Sequence, residues 1–125
     1  MDKHLLFERH EQATRMDQHE LVRQLNSHLG PTLVAVLANV RDRKLPHKWA
    51  AAGGPIPRPE SYARLQAAHR AWTVICQADD EYVARQWFIG ANPRLDEDTP
   101  VMRLREGDIK SVMAAATAFA DGGDH

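Results

Sequence analysis

The chain has 125 residues, 43% of them apolar and 26% charged, which allows one compact core with roughly two-thirds of the unfolded surface removed from water. Its one cysteine, Cys76, excludes an internal disulfide and fits a reducing cytoplasm; no apolar run approaches the ~18 residues a membrane span needs, and the opening MDKHLLFERH is too polar for a signal peptide. The net charge of −1 conceals an asymmetry, because residues 30–78 carry seven Lys/Arg against two Asp/Glu, and residues 79–125 carry five against ten. A basic middle and an acidic end point to two partners of opposite character.

Residues 1–15 are polar and rich in His and Arg, with Leu5, Leu6 and Phe7 as their apolar cluster. They read as a mobile arm, or a short helix that packs only on a partner. A helical pattern begins at Met16. Asp17 is a capping residue with Glu20 three positions on, and Leu21, Val22, Leu25 and Leu29 form one stripe of a 3.6-residue period. Gly30-Pro31 ends that helix and starts a second, expected over Thr32–Ala38 and closed by Asn39. A third helix begins at Asp42 or Leu45, is anchored by Trp49 and stops before Gly53-Gly54. The three prolines of GGPIPRP make a stiff extended connector.

The longest helix is expected from Glu60 to Ala78, with Tyr62, Leu65, Ala68, Trp72, Ile75 and Cys76 on one face. Asp79 or Asp80 caps the next, whose apolar residues are Tyr82, Val83, Trp87 and Phe88. Asn92-Pro93 and Thr99-Pro100 bracket an acidic loop, and Thr99-Pro100 is a usual helix start. Asp108 caps a last helix containing Ile109, Val112, Met113, Ala116 and Phe119, closed by Gly122-Gly123. No stretch alternates as a strand does, so the chain reads as all-α with about seven helices.

Two short helices joined by a tight turn, the second rich in cations, make the pattern of a helix-turn-helix. Here the pair is 32–38 and 42–52. Arg41, Arg43, Lys44, His47 and Lys48 gather where the second helix begins, the end that enters a major groove. Thr32, with the amides of its own helix start, is placed to hold a phosphate. The competing reading is a solvated basic loop and helix face, and Pro46 conflicts with a helix that starts as early as Asp42.

In the second half, the order Trp87, Asn92-Pro93, Leu95, Thr99-Pro100, Leu104, Gly107, Val112 resembles the C-terminal toxin-binding domain of the Xre/MbcA/ParS antitoxin family. The preceding LGPTLVAVLANVRDRKLPHKWAAAGG looks like the Xre-type helix-turn-helix that precedes that domain. The likeness spans about residues 20–122. It implies an arm over 1–15, a helix-turn-helix region over 16–59 and a helical toxin-binding domain over 60–125. It also implies a RES-domain toxin, which degrades NAD, as partner, with the C-terminal segment covering or entering the toxin's NAD pocket, and a complex that represses its own operon.

Carried over, Phe119 to His125 is the plug, with Asp121 or Asp124 meeting cations of the toxin. Trp87, Asn92, Arg94, Arg103 and Arg105 form the body of the interface, Arg being a frequent anchor. A homodimer then presents two copies of 30–52 to successive turns of operator DNA. Asp96-Glu97-Asp98 stands where the family more often has a small or glycine-containing turn.

Without the family, the same segment is a loop stiffened by two prolines, each restricting itself and its predecessor. A stiff loop loses little entropy on docking. It serves equally well to turn the chain between core helices. The seven histidines show no i, i+4 pair and no cysteine neighbour, Cys76 falls on an apolar face, and there is no phosphate-binding glycine loop. No enzyme, metal or cofactor is expected. A stand-alone repressor, or an interaction adaptor that no longer binds DNA, are the alternatives to an antitoxin.

Overall fold

The computed structural model describes residues 16–122. The expected arm over 1–15, with Leu5, Leu6 and Phe7, and the last three residues of the expected plug, Asp124 among them, lie outside the described residues. Seven α-helices and one 3-10 turn follow in order, and there is no strand among the described residues. They are α1 Gln18–Leu29, α2 Pro31–Leu37, α3 Leu45–Ala50, α4 Pro59–Ala78, α5 Glu81–Ile89, the 3-10 turn Pro93–Leu95, α6 Pro100–Arg105 and α7 Ile109–Ala120.

Four of the helix starts, those of α1, α5, α6 and α7, are set by a side chain that satisfies an orphan amide. Asp17 accepts from the amides of His19 and Glu20, and Asp80 from Val83. Thr99 accepts from Met102 and Asp108 from Ser111. Gly30 is both the end of α1 and the cap of α2, at φ 86° and ψ 149°. That conformation belongs to glycine, because a Cβ clashes with the backbone there. Asn39 closes α2 at φ 63°, the left-handed conformation that Asn tolerates.

The third helix departs from its expected bounds. Of the two expected starts, Leu45 and not Asp42 begins it, and it ends at Ala50, short of the expected Ala52. The Asp42 carboxylate accepts the Lys44 amide at 2.9 Å, which fixes a turn over 42–44. Pro46 then falls in the first helical turn, where its missing N–H was an orphan anyway. Ala51 is extended at φ −77°, ψ 130°, so the helix cannot reach Ala52.

The expected stripe of α1 is buried whole, and Leu25 of that stripe meets no water at all. The same core takes Val34 and Leu37 of α2 and Trp49 of α3. Leu65, Trp72 and Ile75 of α4, Phe88 of α5, Leu104 of α6 and Val112 of α7 complete it. Helix α4 packs on α7 and α1, and α2 packs on α6, so helices on both sides of residue 59 share this one core. Burying a Leu, Val or Ile side chain stabilises by about 1.5–3 kcal/mol relative to leaving it in water, and these side chains are the main source of stability.

Candidate partner-binding surface

The segment 90–108 is held by its own hydrogen bonds. The Asn92 carbonyl accepts the amides of Leu95 and Glu97, both at 2.9 Å, while its own amide donates to the Asp98 carbonyl at 3.0 Å. The Asn92 side chain accepts the Arg94 amide at 2.9 Å and is buried. Leu95 plugs the loop into the core. Asp96 and Glu97 therefore stand at the tip with left-handed backbones, φ 55° and 68°. Such a conformation persists in non-glycine residues when the surrounding contacts over-determine it.

Arg103, on α6, ties this loop to the last helix. Its guanidinium donates to Asp98 at 3.1 Å, to Asp108 at 3.0 Å and to the Leu95 carbonyl at 2.8 Å. Asp96 lies 3.7 Å from the same guanidinium with its side chain almost wholly in water. Hydrogen bonding to Ser111, and then to Arg103, holds the Asp108 carboxyl below its ordinary range, while the Asp108 bond holds Arg103 above its own.

Behind it, α6 ends on Gly107 at φ 85°, with the Gly107 amide donating to Leu104 and that of Asp108 to Arg103. Arg64 of α4 donates to the Leu104 and Arg105 carbonyls. Arg105 donates across to the Val36 carbonyl of α2 at 2.8 Å.

The residues expected at a partner interface thus divide. Arg94 is exposed on the loop, and Asp121 is exposed at the end of α7. Phe119 is half-buried and packs against the core. Trp87 and Asn92 are buried, and Arg103 and Arg105 spend their donors on neighbouring backbone and carboxylates. These four build the frame behind the surface. The Trp87 ring meets Phe88 edge-on with centroids 5.1 Å apart.

The surface also has members that periodicity reasoning missed. Tyr82 is 72% exposed and Ile89 42%, on the side of α5 opposite Ala84 and Phe88. Met102 is exposed on α6. Tyr82 and Ile89 are seven residues apart, two turns of one helix face. That spacing, set against Ala84 and Phe88, is the signal that places them outward.

In the basic half, Thr32, Arg41, Arg43, Lys44, His47 and Lys48 are all exposed. Arg41, Arg43 and Lys44 were expected at the start of the second helix of the pair. They stand instead on the turn before α3, because the Asp42 turn and Pro46 delay that helix. His47 and Lys48 remain on α3, in its last turn. Trp49, the expected anchor of that helix, packs inward. Among the described residues no cluster of His, Cys, Asp or Glu forms a metal donor set, and no helix is long and apolar enough to cross a membrane.

No protein-family model matches the chain, and no curated protein matches it. Among solved structures, a chain of the M. tuberculosis MbcT-MbcA toxin-antitoxin complex superposes with a TM-score of 0.70. The superposition covers 86% of this chain and 97% of that one, at 20% sequence identity. The two chains share a fold. The all-helical architecture expected from the resemblance to Xre/MbcA/ParS antitoxins is the architecture found.

Proposed function

We propose that this chain is the antitoxin of a toxin-antitoxin pair, and that it acts by binding and not by catalysis. The observation that carries this reading is the shared fold with a chain of the MbcT-MbcA complex over nearly all of that chain. The motif residues support it, since Asn92, Leu95, Thr99, Leu104 and Gly107 together build one braced loop. A loop already fixed by internal hydrogen bonds pays little ordering entropy when a partner closes on it.

In this proposal the partner is a RES-domain toxin that degrades NAD. The exposed face of 82–102, with Tyr82, Ile89, Arg94 and Met102, contacts the toxin body. The end of α7, from Phe119 and Asp121 onward to Asp124, covers its active site. The chain works in the cytoplasm as a homodimer, and the exposed cations 41–48 bind operator DNA.

A second reading keeps the toxin and drops the DNA. It is favoured by α3, which has only six residues and offers a groove less than two helical turns.

Co-expression tests the main reading. A RES-domain toxin encoded beside this chain should arrest growth alone and be neutralised by the full chain. Removing Phe119 to His125 should abolish neutralisation, and because Phe119 packs against the core, circular dichroism of the truncated chain checks that its helices remain. Neutralisation by the truncated chain contradicts the covering role of the α7 end. Failure of the full chain to neutralise contradicts the antitoxin reading.

A further inference from the structure

A cleft of about 720 Å³ opens between the turn that precedes α3 and the start of α4, and it shares no lining residue with the surface proposed for the toxin. Its size falls within the roughly 300–1,000 Å³ of small-molecule sites. Val40, Leu45, Trp49 and Ile56 give it apolar walls. Ile56 is the conspicuous member, 58% exposed and thus a large aliphatic side chain left in water. It cannot fold away, because Pro55 and Pro57 on either side restrict the connector, and Pro57 is buried. Gly54 runs so close to α3 that a Cβ there would stand 2.5 Å from the Lys48 carbonyl. Within the same lining, the Ser61 hydroxyl donates to the Ala38 carbonyl at 2.8 Å, which ties α4 to the end of α2. The cleft is therefore preformed, not a gap between loose segments.

The charges of the lining select a ligand. Arg41, Arg58 and Arg64 stand against Asp42 and Glu60, an excess of one positive charge. Arg64 is already committed, donating to the carbonyls of Glu60, Leu104 and Arg105. Asp42 is committed too, accepting the Lys44 amide. Arg41 and Arg58 are exposed, and among the described residues neither has a hydrogen bond or an ion pair. A guanidinium presents paired N–H donors that match a carboxylate. An apolar body laid against Ile56 and Leu45 takes both out of water.

We infer that the cleft binds an amphipathic monocarboxylate, its head at the guanidiniums of Arg41 and Arg58 and its apolar body on Ile56, Leu45 and Trp49. A single negative charge matches the excess of one in the lining, and a doubly charged phosphate exceeds it. The bound head occupies Arg41, the first cation of the basic turn, and so withdraws that residue from any other anion. This inference stands or falls independently of any toxin.

Octanoate is the probe, and the Ile56 δ1 methyl is the reporter. The chain has four isoleucines, and Ile89, 42% exposed on α5, is the control for unspecific contact. In the full chain labelled at isoleucine methyls, octanoate should move the Ile56 signal saturably and leave Ile89 in place. Acetate, the head alone, and octanol, the body alone, should each move it far less at equal concentration. Arg58→Gln should weaken octanoate binding about ten-fold, the loss expected for one charge-assisted hydrogen bond. The Arg58 side chain is exposed and caps nothing, so its replacement leaves the fold to report. An Ile56 signal that does not move with octanoate, or one that Ile89 follows in step, overturns the inference. An equal effect of octanol or of acetate overturns it too, as does an affinity unchanged in Arg58→Gln.

Discussion

Replacing Asn92 with Ala tests whether the braced loop depends on one side-chain oxygen. That oxygen accepts the Arg94 amide at 2.9 Å and is buried, so water has little access to replace it. Losing a capping acceptor of this kind costs about 0.5–2 kcal/mol, typically near 1. For a chain of this size 1 kcal/mol corresponds to roughly 3–6 °C in Tm. The backbone bonds from Leu95 and Glu97 to the Asn92 carbonyl survive the substitution, so the loop loosens without unfolding. A partner that needs the loop in its present shape must then restore the order, which weakens binding by about five-fold for 1 kcal/mol. Thermal unfolding followed by circular dichroism reads the first effect, and calorimetric titration with the toxin reads the second. Asn92→Asp keeps an acceptor at the same place and should lie close to the parent in both. An unchanged Tm in Asn92→Ala, or an equal loss in Asn92→Asp, refutes the capping argument.

Other perturbations separate the remaining parts of the account. His28 stacks on Trp72 with ring centroids 4.3 Å apart, and His69 bonds the Gln24 side chain at 2.8 Å. Burial lowers both histidine pKa values, opposed by Glu81 at His28 and reinforced by His28 at His69. A lowered folded pKa means that the unfolded chain takes the proton more readily. This stabilisation is therefore complete above the ordinary value of about 6.5 and is lost as pH falls through it. Tm should drop between pH 7 and pH 5, less steeply in His69→Gln, and equal slopes contradict the assignment. Gly30→Ala should cost about 1–3 kcal/mol from backbone strain alone, since nothing lies within 4 Å of the added methyl; an unshifted denaturation midpoint contradicts it. Replacing Arg43, Lys44 and Lys48 with Ala should weaken operator binding in a mobility shift and flatten its salt dependence, and an unchanged shift removes these cations from the DNA role.

The helices were legible because their signals are local. Asp17, Thr99 and Asp108 announce their caps in the sequence and serve as caps in the structure, and of the pair Asp79 and Asp80 it is Asp80 that serves. The stripe from Leu21 to Leu29 announces its buried face and is buried. Legibility failed where tertiary contacts decide. Arg103 and Arg105 read as charged anchors for a partner, yet their acceptors lie on Asp98, Asp108, Leu95 and, 69 residues away, Val36. No periodicity reveals such a pairing. Tyr82 read only as one of the apolar residues of its helix, whereas the face of α5 is decided by Ala84 and Phe88, which leaves Tyr82 exposed. The basic turn was misplaced by a few residues because a carboxylate at 42 and a proline at 46 together delay a helix, and neither settles its start alone.

The central claim is that the surface built on the 90–108 loop, with the end of α7, closes on a RES-domain toxin. The direct measurement is NAD consumption by that toxin, in the presence of the full chain and of a variant carrying Tyr82→Ala, Arg94→Ala and Met102→Ala. The account predicts that the full chain stops NAD loss near equimolar ratio, and that the folded triple variant does not. Continued NAD loss with the full chain, or equal inhibition by the triple variant, contradicts it.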